Sequence, residues 1–381
     1  MSLPDVHIPE RISAAPALKS RRLFDNRAAV TRLSGNATAG IRTLSRFASP
    51  ASPRARNTAM TASDLPDPIH RRIEQHAARH PQEIAVISGG QRVTYGELNA
   101  RANRLARYLR RVAASSAAPA GIFIEPCVGT VVCLLAALKA GNPYIPLDPG
   151  GASMEIAATL AETEAFILLP SDSTPASLPA RRARAISVES EFESIECGSA
   201  ANLSRSAAED LSCAAFHAFA TKQRGEAISH RACLDSMESF RSCLGAAPTD
   251  WFVTALQPDL ALSGMWLLTP LIYGAHVILA PVREDNISEL HLDQIERSRA
   301  AVLRATPGIA AAVMNAKWQI RARLKLVRGA EAWPDELLKA LDAMGVEVWQ
   351  LHGTAANYRL CRNEAGPDSP ASHMAAHGGQ S

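Results

Sequence analysis

Between residues 83 and 351, short runs of aliphatic and β-branched residues alternate with longer segments whose apolar positions recur every three or four residues. The strand-like runs are Gly121–Glu125, Tyr144–Leu147, Phe166–Leu169, Ser212–Phe219, Trp251–Leu256, His276–Ala280, Ala301–Ala305, Leu324–Arg328 and Val346–Leu351. The helical segments between them are Val128–Lys139, a stretch near Glu155–Glu162, Ser229–Cys243, Leu262–Tyr273 and Asp335–Leu341. A tight turn joins antiparallel strands, whereas parallel strands need a crossover of a dozen residues or more, usually a helix. The alternation therefore predicts an α/β fold with parallel-rich sheets flanked by helices.

Composition excludes several classes. With 47% hydrophobic and 20% charged residues the chain is globular as a whole. Residues 1–63 hold nine Arg and one Lys against three acids, which leaves the rest of the chain mildly acidic although its formal total is +3. That body offers no basic face for nucleic acid. Seven cysteines occur without a Cys-x-x-Cys pair, so neither a zinc ribbon nor a disulfide framework is expected, and the thiols read as reduced and cytoplasmic. Leu260–Val282 is uncharged and long enough to raise the question of a membrane span, but Pro270, Gly274 and His276 divide it into a helix and a strand, so it reads as core.

Three regions follow. Residues 1–63, rich in Ala, Ser and Arg, lack a sustained apolar period and are expected to be disordered. They read as a linker, with a signal for export through a specialised secretion system as the other option. Residues 64–362 form the core, interrupted at 171–209 by a Ser-, Pro- and Arg-rich surface excursion, and 363–381 is expected to be a disordered tail. The core opens with Ser63 and Asp64 as caps for a helix bearing Ile69, Ile73 and Ala77. His76 and His80 share a side of that helix at ligand spacing, but no third ligand is close in sequence, and a solvated face is expected. Thr94-Tyr-Gly-Glu97 is a capping box for a helix with Leu98, Ala102, Leu105 and Leu109 on one face.

The most specific string is Leu138-Lys-Ala-Gly-Asn-Pro-Tyr-Ile-Pro-Leu-Asp-Pro149. It resembles the second core motif of nonribosomal peptide synthetase adenylation domains, members of the acyl-adenylate-forming, AMP-binding superfamily. Val93-Thr-Tyr-Gly-Glu-Leu98 resembles the first motif, Tyr273–Leu279 the segment after the fourth, Leu326–Ala332 the Gly-Gly-Glu-Ala element, and His352–Ala356 the Tyr-Gly-Pro-Thr-Glu motif. The resemblance implies an N-terminal adenylate-forming core that ends after the fifth motif, without the barrel subdomain or the mobile C-terminal domain. It also implies chemistry in which Mg-ATP activates a carboxylic acid before transfer to a carrier protein.

The chemical positions depart from that pattern. In His217–Gly225, where the family has a Gly-rich phosphate loop, Phe219 and Lys222 replace glycines, and a Cβ at such positions blocks backbone approach to phosphate. Thr221, Lys222, Arg224 and Gly225 remain as relict phosphate-side positions, with Glu331, Gly353 and Thr354 on the adenine and ribose side. Ala355 and Ala356 occupy the family's Thr-Glu, which removes the carboxylate that a hard cation such as Mg²⁺ requires. Ala261 stands where amino-acid-activating members carry the Asp that pairs with the α-ammonium, leaving Asp259 and Ser263 as the substrate-side candidates. No catalytic residue and no metal ligand are assigned.

The expectation is a catalytically inactive homologue, with neither ATP nor Mg as cofactor, acting as a scaffold in or near peptide biosynthesis. A protein partner or self-association would cover the face left by the missing barrel, with a carrier protein as one option. Two alternatives stay open: an ATP-using ligase completed in trans, and a secreted effector.

Overall fold

The computed structural model describes residues 67–112, 118–149, 151, 153–163, 165–171, 184–204, 213–216, 227–255, 260–280, 301–315, 324–329, 331–354 and 357–362. The elements, in order, are α1 (Ile69–Arg79), β1 (Ile84–Ser88), β2 (Gln91–Thr94), α2 (Tyr95–Val112), β3 (Ala120–Phe123), α3 (Val128–Ala140), β4 (Tyr144–Leu147), α4 (Ser153–Thr163), β5 (Phe166–Leu169), β6 (Ala185–Ser187) and α5 (Phe192–Glu196). There follow β7 (Cys213–Phe216), β8 (Ala227–Ser229), α6 (His230–Leu244), β9 (Trp251–Ala255), α7 (Leu260–Ile272), β10 (His276–Ala280), β11 (Val302–Arg304), α8 (Pro307–Asn315), β12 (Lys325–Arg328), α9 (Asp335–Ala343), β13 (Glu347–Thr354) and β14 (Asn357–Arg362).

The strands form two sheets, one of eight in the order β14-β13-β12-β11-β9-β10-β1-β2 and one of six in the order β6-β5-β3-β4-β7-β8. Pairing is parallel except at β2, β14 and β8, each of which runs antiparallel to its neighbour. The α/β, parallel-rich fold expected from the alternation is therefore present. Side-chain alternation sends Val302, Val327 and Leu351 of the larger sheet into the main core with Phe240 and Leu267. Leu303, Leu326 and Val348 pack on the other face with Ile309, Val313 and Leu341 of α8 and α9. Helix α3 is buried along nearly its whole length, which its lack of a polar stripe requires.

The string at 138–149 has a clear structural task. Gly141 ends α3 in the left-handed region, at φ 89°, with its N–H bonded back to the last turn. Lys139, 1% exposed, donates to Glu74 of α1 and, at 2.8 Å, to Asn99 Oδ1 of α2. Arg71 bonds the other Glu74 oxygen at 2.8 Å and donates to the Leu203 carbonyl at 3.1 Å. Asn99 closes the ring by donating to Asn202 Oδ1 at 2.8 Å. Residues 199–204 have no regular structure, yet all six of their carbonyls accept from side chains of α1 and α2. Arg107 holds those of Ser199, Ala201 and Asn202, Asn103 that of Ala200, Arg71 that of Leu203 and Arg110 that of Ser204. These bonds partner the segment's carbonyls where no ladder does, although Leu203 is its one buried residue.

Several boundaries differ from the sequence reading. Helix α1 starts after Pro68 without a side-chain cap, and Ser63 and Asp64 lie outside the described residues. Pro68 sets the start because its ring fixes the extended entry geometry. The capping box is reciprocal, with Thr94 N–H to Glu97 at 3.0 Å and Glu97 N–H to Thr94 Oγ1 at 3.2 Å. The stretch 171–209 contains the edge strand β6 and helix α5, anchored by Ile186, Ile195 and Leu203. His76 is not on a free face. It bonds Glu83 at 3.1 Å, packs edge-on to Tyr95 at 4.3 Å and lies against Gly274, whose lack of a Cβ leaves room for the ring. His80 also pairs with Glu83, at 3.3 Å. Burial lowers the His76 pKa although Glu83 opposes that shift. Among the described residues no three His, Cys, Asp or Glu side chains are arranged to hold a metal, and no helix is long and apolar enough to cross a membrane. Cys127, Cys133, Cys197, Cys233, Cys243 and Cys361 are thiols outside any disulfide.

Candidate functional site

In the eight-stranded sheet the chain passes from β9 through α7 to β10 on one side, then returns to β11 on the other. The connections diverge between β9 and β11, and in open α/β sheets ligands bind beyond the carboxyl ends of strands at such a point. Arg304 ends β11 there, in register with Thr254 of β9 and Val327 of β12. It is 4% exposed, on the same face as Val302, with its guanidinium 5.9 Å from the Trp266 ring of α7. Trp266 in turn packs edge-on against Phe240 at 4.9 Å. Thr306, just beyond Arg304, accepts the Ile309 N–H at 3.2 Å and caps α8.

The first turn of α7 carries Ala261 and Ser263. A Cβ at the next residue, Gly264, would come within 2.7 Å of the Tyr144 ring, so glycine is what lets α7 pack against β4 of the smaller sheet. Asp259 lies outside the described residues, as do Thr221, Lys222, Arg224 and Gly225. The segment that contains those four joins β7 to β8, an antiparallel pair at the edge of the six-stranded sheet. Ser229 closes β8 and caps α6 by accepting the Ala232 N–H at 3.3 Å.

One strand further along, Arg328 ends β12 on the face opposite Arg304. It donates to the Glu331 carbonyl at 3.1 Å and to the Gln350 side chain. Burial lowers its pKa, with Glu331 opposing. Glu331 itself is exposed, and its carboxylate turns back to accept from Gly329 N–H at 3.3 Å and Trp333 Nε1 at 3.4 Å. Gly353 and Thr354 end β13, paired with Tyr358 and Asn357 of β14. Ala355 and Ala356, which lie outside the described residues, join these two strands in sequence, and their methyl side chains have nothing to offer a cation.

The structure therefore brings Ser263, Glu331, Gly353 and Thr354 to the carboxyl edge of one sheet. Sequence reasoning passed over Arg304 and Trp266, because an Arg inside Val302-Leu-Arg304 and a Trp in an apolar helix look like ordinary strand and core residues. It also passed over β14, since the Ala355-Ala356 link lacks the Gly or Asn that marks a hairpin.

Residues 73–218 match the AMP-binding enzyme family. The chain is 34% identical over 214 residues to tyrocidine synthase 3 of Brevibacillus parabrevis, a match that covers 56% of this chain and 3% of that protein. It thus spans a small part of the length of such a relative. Its fold is similar to the nonribosomal peptide synthetase FmoA3 in its AMPPNP-bound form, with a TM-score of 0.69, 20% identity, and coverage of 79% of this chain and 33% of that one. It is also similar to NpsA-ThdA, an artificially fused adenylation–PCP di-domain from Klebsiella oxytoca, with a TM-score of 0.64, 17% identity, and coverage of 77% and 55%.

Proposed function

We propose that this chain, whose residues 73–218 match the AMP-binding enzyme family, is a non-catalytic adenylation-domain homologue, a binding module in carrier-protein-based peptide assembly. One observation carries the reading. The groups that adenylation asks for are replaced together: glycines by Phe219 and Lys222, the substrate Asp by Ala261, and Thr-Glu by Ala355-Ala356. Each loss removes either positioning or charge stabilisation in the transition state, and such losses compound.

The binding half of the reading is supported by the intact core. A chain that keeps a buried Lys139–Glu74 pair, reciprocal caps and densely packed helices still specifies one structure. Adenylation domains work with carrier-protein domains, so a carrier domain is the partner proposed first.

The test is titration calorimetry of the full chain with MgATP to millimolar concentration, with folding confirmed by circular dichroism. The expected outcome is no saturable heat. Saturable binding in the micromolar range would overturn the reading. It would select the alternative in which Lys222 and Arg224 hold phosphate by charge and a second protein completes the enzyme.

A further inference from the structure

Three imidazoles and one carboxylate meet where α1 ends and β1 and β10 begin. His76 Nε2 lies 3.1 Å from Glu83 Oε2, and His80 Nδ1 lies 3.3 Å from the other oxygen of the same carboxylate. The two rings stack with 4.9 Å between their centroids. His276, the first residue of β10, bonds the Ile84 carbonyl of β1 and stacks on Trp251 at 4.3 Å. The His76 side chain is 18% exposed, and its ring fills the space that a Cβ on Gly274 would need. Tyr95, edge-on to that ring, donates to the Ala275 carbonyl at 2.6 Å, and burial keeps its hydroxyl protonated. Helix α7, which also packs on α1, has no ionisable side chain. On the other helices against α1, Lys139 of α3 bonds Glu74, and Glu238 and Arg241 of α6 bond each other.

We propose that this cluster is an acid-released latch: when His76 and His80 are both protonated, the last turn of α1 and residues 80–84 come away from the turn at Gly274. One carboxylate offsets one positive charge, whereas two stacked imidazolium rings carry two, and His276 adds to the repulsion. The same packing takes the His76 ring out of water, and a buried imidazole holds its proton less firmly. Burial is accordingly the main cause that lowers the His76 pKa from its ordinary 6.5; Glu83 opposes the shift, and the charges of His80 and His276 add to it. A folded state that binds fewer protons than the unfolded chain gains stability as pH rises. The contribution of the latch is therefore full above pH 6.5 and is lost as pH falls through the lowered value. Only the far end of α1 is released, because Glu74 and Arg71 tie its first half to Lys139 and the Leu203 carbonyl through bonds that involve no imidazole. The latch concerns how α1 docks, and it stands whether or not the chain binds nucleotide.

The experiment is hydrogen–deuterium exchange of the full chain at about pH 7.5 and about pH 5.5, which bracket the ordinary titration of an imidazole. Protection factors, corrected for the intrinsic pH dependence of exchange, are compared in the wild type, His76→Gln and Glu83→Gln. In the wild type, protection across 76–84 is expected to fall several-fold at the lower pH, while that of 69–75 and of α3 is unchanged. His76→Gln keeps a donor for Glu83 but takes up no proton, so the fall should be absent. Glu83→Gln removes the offsetting charge, so the fall should be larger. Equal protection of 76–84 at both pH values in the wild type, a fall that persists in His76→Gln, or one shared equally by α3 overturns the proposal. A fall of equal size in the wild type and Glu83→Gln also overturns it, since the carboxylate would then not set the charge balance. If His76→Gln fails to fold, the wild type against Glu83→Gln still decides, because a purely structural role for the ring gives no dependence on the charge at position 83.

Discussion

Two regions of the molecule bury charged groups, and they handle them differently. At the α1–α2–α3 corner, Lys139, Glu74, Arg71, Asn99 and Asn202 close a ring of hydrogen bonds that joins three helices to the 199–204 segment. At the carboxyl edge of the larger sheet, Arg304 and Arg328 sit on opposite faces of adjacent strands, and the loop after β12 turns its Glu331 carboxylate onto its own backbone. In the corner, Lys139 of α3 meets Glu74 of α1, and the bonds of Arg71, Asn99 and Asn202 tie in α2 and the 199–204 segment, so the ring specifies how the helices assemble. At the edge, Arg328 and Glu331 make contacts that are local or reach one neighbouring strand. The corner thus belongs to the framework that makes the fold, whereas the edge is where sequence could change without unmaking it.

The sharpest way to break that contrast is to remove Lys139. Lys139→Met leaves the buried Glu74 carboxylate with Arg71 alone, and loss of one member of a buried pair costs about 3–5 kcal/mol. The lower end is expected, as Arg71 still holds one oxygen. Pairing the change with Glu74→Leu should recover much of the loss, because a well-packed apolar pair can replace a buried ionic one. Urea unfolding of the single and double variants measures both. A single-variant loss under about 1 kcal/mol would remove the corner's claim to be framework.

Arg107→Ala should come next. It frees the carbonyls of Ser199, Ala201 and Asn202, but water reaches this exposed surface, so a global loss of no more than about 1 kcal/mol is expected. The local effect is larger: amide exchange across 199–204 should accelerate while that of α3 stays slow. Arg107→Lys should not restore protection, since a point charge cannot hold three carbonyls as a fork does. Unchanged exchange in both variants would mean that Leu203, rather than the carbonyl clamp, holds this segment.

The same contrast explains what the sequence disclosed. The elements of the corner and the parallel-rich α/β character were legible because strand and helix periods and the Thr94–Glu97 box are local signals. The partners of Lys139 were not, because Glu74 and Lys139 are brought together by helix packing across 65 positions. At the edge, the replaced residues could be read directly, Ala355 and Ala356 above all, whereas Arg304 becomes a site candidate only once topology puts the divergence of the chain between β9 and β11. The 171–209 stretch was read as an excursion because it has few apolar anchors. Within it, residues 199–204 are held by side chains of α1 and α2 that bond their carbonyls, an interaction with no periodic trace in the segment's own sequence.

The smallest effect is expected at the edge itself. Glu331→Ala removes acceptors for the Gly329 N–H and the Trp333 indole, two bonds longer than 3.2 Å at an exposed carboxylate that water can replace. Surface changes of this kind fall within about 0.5 kcal/mol, and urea unfolding should show no more. The relaxation should be local, read as a change in the emission of Trp333, with Trp333→Phe as the control. A loss above about 1.5 kcal/mol, comparable to removal of a structural hydrogen-bond network, would mean that this loop is built into the fold as firmly as the corner. Its closed conformation would then be a requirement of the fold.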